Sequence, residues 1–251
     1  MRIIRMISIA DVFTLVNALM GFSAILLVTL DQYVFAVYAI LFGILCDGLD
    51  GLVARRFSRK WYFGDYLDIM SDTTSFCVAP AVVMFRTVQK DLATLSAYSD
   101  YFLFAACASL VVCGLLRLAR FCYQSGGGSS NFTGLPSPGS ALPIALIVLQ
   151  RSISSSPLPG FILVAVAVIM AVLMISDFRY PKVRGAYAII SGIVIFLVIV
   201  FNQLFGKGVI AEFLLDVALL LALAYVAGGP LVARRRGQDG QGKEALQVQR
   251  R

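Results

Sequence analysis

The 251-residue sequence contains no histidine, and only 14% of its residues are charged. The absence of histidine excludes imidazole acid–base catalysis and histidine metal ligands, so any catalysis must use carboxylates, lysine, tyrosine, cysteine or hydroxyl groups. The charged fraction lies below the roughly 25% that is usual in soluble domains. With 59% hydrophobic residues and a mean hydropathy of +0.87, the sequence predicts a polytopic membrane protein.

Two other patterns are missing. The long apolar runs do not alternate with period two, which argues against a transmembrane barrel and predicts an all-α helical bundle. The five cysteines show no CxxC spacing, so we expect small core residues in a reduced setting. The first apolar run follows Arg2 and Arg5 and has no clear small-residue cleavage site. Because it is long enough to span a bilayer, we interpret it as a helix and not as a signal peptide.

Eight apolar segments are candidate transmembrane helices. The fifth is short for a hydrocarbon core about 30 Å thick and is interrupted by Pro143. We expect one membrane-embedded domain over residues 1–232 and a polar, disordered cytoplasmic tail over 233–251. Residues 123–138, rich in glycine, serine and proline, are expected to form a cytoplasmic loop. The eight segments are 8–30, 33–54, 63–86, 99–122, 139–152, 157–175, 186–205 and 209–232.

The basic residues predict the orientation. If the N-terminus is cytoplasmic and the spans alternate, 17 of the 21 lysines and arginines fall on the cytoplasmic side, which is a strong positive-inside bias. Both termini and the basic loop 55–60 are then cytoplasmic. Because the basic residues gather at the ends of apolar runs, the net charge of +7 does not indicate a nucleic-acid partner.

Four aspartates interrupt the apolar sequence of the second and third spans. Asp47 and Asp50 are three residues apart, and Asp68 and Asp72 are four apart, so each pair projects from one helix face. Carboxylates inside a membrane are costly and usually mark function. A short loop makes the two helices antiparallel neighbours, so the four carboxylates can converge near the cytoplasmic side. Oxygen ligands of this kind suit Mg²⁺ or Mn²⁺, and two such ions about 4 Å apart can clamp the attacking and leaving oxygens of a phosphoryl displacement.

The spacing of this region resembles the signature of the CDP-alcohol phosphotransferase family of integral membrane enzymes, with all eight fixed positions present. The resemblance implies a two-metal aspartate site in which Asp47, Asp50 and Asp68 hold the ions. Asp72 would complete the site and act as the base for the incoming hydroxyl, which makes Asp68 and Asp72 the catalytic candidates. The pattern reads Asp47-x2-Asp50-Gly51-x2-Ala54-Arg55-x8-Gly64-x3-Asp68-x3-Asp72.

The same resemblance implies a substrate and a reaction. An alcohol would attack the β-phosphate of a CDP-activated lipid and release CMP. Small residues would let the nucleotide approach the backbone closely. Asn17, in the first span, either reaches the pyrophosphate or bonds a neighbouring helix. The residues expected to bind the CDP-lipid are Gly51, Ala54, Arg55, Gly64 and Asn17.

Shorter blocks elsewhere resemble the phosphatidylserine synthase branch of the family, which implies L-serine as the acceptor. These blocks are FTLVNALMGFSAI (13–25), SFCVAPAVVMF after Asp72, GLLRLARF (114–121), GLPSP (134–138) and FRYPK (178–182). Serine carries a carboxylate, and a guanidinium can bind it in bidentate fashion. Arg117 and Arg120, at the cytoplasmic end of the fourth span, are the candidates, although both can instead anchor the helix end. Ser75 is a third candidate for a serine contact.

Other interpretations stay open at this point. The acceptor could be glycerol 3-phosphate or inositol 1-phosphate, and the lipid could be based on diacylglycerol or archaeol. The aspartates could form an ion-pair network with the nearby basic loop, or serve as the ion site of a cation transporter. A homodimer is compatible with the family resemblance. Two residues are expected to have local roles: Asp65 at the start of its helix, and Thr14 bonding its own helix backbone.

Overall fold

The computed structural model describes residues 8–57, 62–93, 99–124, 132–154, 157–180, 194–201, 203 and 208–248. Within these ranges the chain is a helical bundle with one short antiparallel sheet, formed by β1 (Phe132–Thr133) and β2 (Arg179–Tyr180). The helices are α1 Ile9–Thr29, α2 Tyr33–Phe57, α3 Tyr62–Asp72, a π-helical segment Thr73–Val78, α4 Ala79–Ala93, α5 Ser99–Gln124, α6 Ser137–Ile153, α7 Gly160–Ile175, α8 194–201 and α9 Val209–Val248.

The prediction of an all-α membrane bundle is confirmed. Among the described residues, five helical stretches are long and apolar enough to cross a membrane: Ile9–Thr29, Tyr33–Val53, Phe63–Gln89, Ser99–Tyr123 and Ile210–Pro230. These correspond to the first four and the eighth of the predicted spans. The fifth and sixth are helices of only 17 and 16 residues, α6 and α7. Part of the predicted seventh span, 186–205, lies outside the described residues.

Helix α1 begins with a capping box. The Ser8 side chain accepts a hydrogen bond from the backbone N–H of Asp11 (3.3 Å), and the Asp11 carboxylate accepts from the backbone N–H of Ser8 (2.7 Å). These two bonds satisfy amide groups that have no partner inside the helix. Asp11 is itself buried, although nothing in the sequence pattern singled it out. The start of α1 is therefore fixed where it packs beside α3.

The third span is not a regular helix. Its α3 and α4 parts are joined by the π-helical segment, which begins directly after Asp72. Asp72 therefore closes α3, whereas the sequence placed it within the first turns of the span. The π segment packs closely against α1, because a Cβ on Gly21 would lie 2.6 Å from Cα of Ser75. Wide turns of this type occur often at functional sites.

Helix α6 is the central helix of the bundle, although it was the weakest of the predicted spans. Eleven of its 17 residues are buried, and it contacts α2, α4, α7 and α9. Pro143 lies inside it without ending it. A helix enclosed by other helices is held by their packing, which outweighs the lost backbone hydrogen bond.

Residues 125–131 of the expected loop 123–138 lie outside the described residues, and regular elements take up both ends of that stretch. Helix α5 extends to Gln124, β1 pairs with β2, and α6 begins at Ser137. Tyr180 of β2 is fully buried, and its hydroxyl donates to the carbonyl of Val226 in α9 (3.2 Å). Burial raises the pKa of Tyr180, so its phenol stays protonated and keeps this bond.

Two further expectations can be compared with the structure. All five cysteines are free, and Cys46, Cys77 and Cys107 are buried, as small core residues would be. The α9 backbone continues as a helix to Val248, and the disordered polar tail stays a prediction. Good helix formers near the end of the chain, such as Ala245 and Leu246, favour the helical conformation.

Candidate active site

Three of the four motif aspartates converge between α2 and α3. One carboxylate oxygen each from Asp47, Asp50 and Asp68 lies within 4.8 Å of the other two. Asp50 is buried and the other two are half-buried. Three carboxylates at this distance repel one another unless a cation lies between them, and oxygen-only ligands suit a hard divalent ion. The residues therefore fit the metal site that their spacing predicted.

Asp72 lies on the same helix, one turn beyond Asp68, and is buried. Its Oδ2 accepts a hydrogen bond from the hydroxyl of Ser137 (3.0 Å), at the start of α6. The same hydroxyl accepts from Nη1 of Arg117 in α5 (3.1 Å). Oδ1 of Asp72 and Oδ1 of Asp68 are buried and have no hydrogen-bond partner within the described part of the chain. Buried carboxylate oxygens of this kind are available to a metal ion or a substrate hydroxyl.

Helix α1 supports the cluster from one side. The Thr14 hydroxyl lies 3.0 Å from Oδ2 of Asp50 and 3.3 Å from the Ala10 carbonyl. The sequence predicted the backbone contact but missed the contact with Asp50. The backbone carbonyl of Thr14 accepts a hydrogen bond from Ser71 (2.9 Å), so α1 joins α2 to α3 at this level.

Asn17 lies one turn deeper on the same face of α1. It is fully buried, and neither its amide oxygen nor its amide nitrogen has a hydrogen-bond partner among the described residues. A Cβ on Gly43 of α2 would lie 2.8 Å from Oδ1 of Asn17, so the amide lies directly against that helix. An unpaired buried amide costs about 1–3 kcal/mol. A polar substrate group reaching this level of the bundle would relieve that cost.

Of the residues expected to bind the CDP-lipid, Gly51 and Gly64 have described surroundings. Gly64 lies where α3 crosses α1, because a Cβ there would be 2.8 Å from Oδ1 of Asp11. Gly51 follows Asp50 in α2 and is half-buried. Ala54 and Arg55 lie on the α2 backbone, but their side chains are outside the described residues. The remaining basic side chains of that loop are also outside them, so the ion-pair alternative is not tested.

The three candidates for serine binding make different kinds of contact in the structure. Arg117 is buried and reaches the aspartates through Ser137, with its guanidinium 5.7 Å from the ring centre of Phe121. The other two make structural contacts. Ser75 is fully buried, and its hydroxyl donates to the carbonyl of Asn17 (2.7 Å).

Arg120 is bonded to the loop regions that follow β1 and α7. Its Nη2 donates to the carbonyls of Thr133 and Ser176 at 3.0 Å. Its Nη1 forms an ion pair with Asp177 at 3.1 Å. Further acceptors are the carbonyls of Met174 and Ile175. These contacts favour the anchoring interpretation of Arg120, and its role in serine binding stays a prediction.

Sequence reasoning missed Ser137 and the Asp50 contact of Thr14. Ser137 lies in the block GLPSP, which was noted only for its resemblance. The block ends a glycine- and proline-rich stretch and precedes an apolar helix. A serine at the start of that helix could have been proposed as a site residue. Asp65 is exposed in the first turn of α3, and its local role there stays a prediction.

Comparison with known proteins agrees with this geometry. The family model described as CDP-alcohol phosphatidyltransferase matches residues 7–224. The chain is 37% identical to the archaetidylserine synthase of Methanothermobacter thermautotrophicus over 73% of its own length and 74% of that protein. It is also 37% identical to a CDP-diacylglycerol–serine O-phosphatidyltransferase of Methanocaldococcus jannaschii, over 71% of its own length and 76% of the relative. A Helicobacter pylori protein with the same name is 29% identical, over 76% and 80% of the two chains.

Proposed function

This chain belongs to the CDP-alcohol phosphatidyltransferase family, and we propose that it transfers a phosphatidyl or archaetidyl group from a CDP-activated lipid to L-serine. The observation that carries the proposal is the convergence of Asp47, Asp50 and Asp68 beside Asp72, inside a membrane bundle. The relatives named for serine transfer support serine as the acceptor.

The reaction is a phosphoryl substitution. The serine hydroxyl oxygen bonds to the β-phosphorus, and the bond from that phosphorus to the oxygen bridging it to CMP breaks, so CMP leaves with the bridging oxygen. The hydroxyl proton passes to the carboxylate of Asp72. This residue is suited to the role because its Oδ2 is held by Ser137 while Oδ1 has no hydrogen-bond partner in the described part of the chain.

We propose that two divalent cations, Mg²⁺ or Mn²⁺, bind at the aspartates. Asp47, Asp50 and Asp68 would hold them, with Asp72 completing the site. Bound cations would stabilise the charge on the pyrophosphate and make CMP a better leaving group. The membrane position supports this arrangement, because carboxylates without counter-charge are costly there.

Arg117 is the serine-carboxylate candidate that we retain. It is buried, it bonds the hydroxyl that contacts Asp72, and a guanidinium can bind a carboxylate in bidentate fashion. Asn17 is the candidate for the CDP-lipid, because its buried amide would gain partners from the pyrophosphate. Gly51, Ala54, Arg55 and Gly64 are proposed for the same substrate by their motif positions.

The protein is an integral membrane protein, and we propose that both termini and the active site face the cytoplasm. The basic residues support this orientation, because they gather on the side where α2 ends and α3 begins. Water-soluble serine would then enter from the cytoplasm, while the lipid tails stay in the bilayer. We further propose a single transferase domain over residues 1–232, and a homodimer in the membrane.

The acceptor is tested directly by CMP release. Purified protein is incubated with CDP-diacylglycerol or CDP-archaeol and, in separate reactions, L-serine, glycerol 3-phosphate or inositol 1-phosphate. Of the three acceptors, we expect only L-serine to give CMP release. Release with a phosphorylated polyol but not with serine would overturn the proposed acceptor, while the two CDP-lipids decide which tails are accepted. An ion flux in proteoliposomes without CMP release would favour the transporter alternative.

A further inference from the structure

The hydroxyl of Ser137 contacts two ionisable side chains, Asp72 and Arg117, and Ser137 is fully buried. A guanidinium has no acceptor and an ionised carboxylate has no donor. The direction of both bonds is therefore fixed: Arg117 donates to the hydroxyl, and the hydroxyl donates to Oδ2 of Asp72. The three side chains come from α5, α6 and α3, so this chain of bonds joins three helices at the site.

The position of Ser137 is itself well determined. It is the first residue of α6, the most enclosed helix of the bundle. A backbone bond closes the first turn of α6, from the N–H of Ser140 to the carbonyl of Pro136 (3.1 Å), and this bond does not depend on any side-chain hydroxyl. A side chain on such a rigid element can hold its neighbour in one rotamer.

We propose that Ser137 is a positioning residue for Asp72, an inference that rests on the function proposed above. By occupying Oδ2, Ser137 leaves Oδ1 as the oxygen that takes the proton of the acceptor hydroxyl. The bond from Arg117 polarises the Ser137 hydroxyl, which strengthens its hydrogen bond to the carboxylate. Ser137 thus fixes the orientation of the base, while the metal ligand Asp50 has its own hydrogen-bond partner, Thr14.

The test compares three variants of the full-length protein in CMP-release kinetics. Ser137→Ala removes the hydroxyl, and Ser137→Cys replaces the strong donor with a weak one on a slightly larger side chain. Ser140→Ala is the matched control, because it deletes an equally buried hydroxyl one turn away that bonds a backbone carbonyl instead of Asp72. Each variant is also titrated with Mn²⁺ by electron paramagnetic resonance and melted in detergent.

We expect kcat to fall about 10–100-fold in both Ser137 variants, as for the loss of an orienting hydrogen bond. KM for serine should stay within about two-fold, because the bond acts on the base and not on substrate affinity. Mn²⁺ affinity and the melting temperature should match the wild type, and Ser140→Ala should keep its kcat. Unchanged kcat in both Ser137 variants would overturn the inference. An equal loss in Ser140→Ala, or a parallel loss of Mn²⁺ affinity, would overturn it as well.

The rate of CMP release by the wild type tests the proposed acceptor. The ratio of variant to wild-type kcat tests the role of Ser137. If the wild type used a phosphorylated polyol and not serine, the proposed acceptor would be wrong, and the ratio measured with that polyol would still decide the role of Ser137. If the wild type released no CMP with any acceptor, both claims would be wrong.

Discussion

The hydroxyl of Thr14 lies 3.0 Å from Oδ2 of Asp50, across the interface between α1 and α2. The carbonyl of Ala10 is a second acceptor at 3.3 Å, but the hydroxyl has a single proton. The shorter bond to the carboxylate is the stronger of the two, because its acceptor is charged. Thr14 of α1 therefore orients one of the clustered aspartates, as Ser137 of α6 bonds another.

Thr14→Val tests this relationship. Valine keeps the shape of threonine but cannot donate, so Asp50 loses its partner while the helix packing is kept. We expect the rate of CMP release to fall about 10-fold or more, by the loss of an orienting bond to a metal ligand. Thr14→Ser keeps the hydroxyl and should retain most of the activity. Equal activities for the valine and serine variants would show that the bond has no part in catalysis.

Substitutions of the third-span aspartates should lower activity at the motif positions and leave it unchanged at the position outside the motif. Asp68→Asn and Asp72→Asn each remove a negative charge that the reaction needs, as a metal ligand or as the base. We expect each to lower the rate by at least about 10²-fold while membrane insertion survives. Asp65→Asn is the control, because Asp65 lies on the same helix, is exposed and is off the motif. Full activity in either motif variant would mean that its assigned role is wrong.

The aspartate cluster was predictable because its information is local. Fixed spacings of three and four residues place each pair of aspartates on one helix face, and α1, which packs against both α2 and α3, completes the convergence of Asp47, Asp50 and Asp68. Asp72 was expected at the same site, but its partner was not. Ser137 is 65 residues away in sequence, and nothing local to either residue indicates that α6 begins beside α3.

The missed parts of the fold have a similar cause. The pattern of apolar residues in a sequence indicates which face of a helix is buried, but not how many other helices surround it. The short α6 could therefore not be identified as the central helix. The β1–β2 pair joins Phe132 to Tyr180, which are 48 residues apart in sequence, and involves only two residues in each strand. Strands this short carry no alternating pattern, and tertiary contacts decide their conformation.

Removal of divalent metal provides a test that needs no substitution. The three-carboxylate cluster has to be neutralised for the anionic pyrophosphate to approach, because like charges at this distance repel one another. We expect a chelator to abolish CMP release, and added Mg²⁺ or Mn²⁺ to restore it. The melting temperature of the wild type should also rise on adding Mn²⁺, and the rise should be absent in Asp68→Asn. Undiminished turnover in excess chelator would contradict the proposed metal site.

Arg120→Ala should distinguish an anchoring arginine from a serine-binding one. Its guanidinium bonds the Thr133 and Ser176 carbonyls and pairs with Asp177, and it holds β1 against the end of α7. Gly134 makes this region sensitive, because its φ of +83° and its contact with the Arg120 guanidinium leave little room for rearrangement. Losing the arginine leaves several acceptors without partners, so we expect the free energy of unfolding to fall by about 1–3 kcal/mol.

The kinetic result separates the two roles of Arg120. If it is an anchor, the folded fraction of Arg120→Ala keeps its KM for serine and the loss is confined to the melting temperature. Arg86→Ala is the control for stability, since the ion pair of Arg86 with Asp31 is long (3.7 Å) and half-exposed, and such pairs are worth about 0–1 kcal/mol. Arg117→Ala should behave in the opposite way to Arg120→Ala, with KM for serine raised. A raised KM in Arg120→Ala at an unchanged melting temperature would return Arg120 to the serine site, because only a direct substrate contact produces that combination.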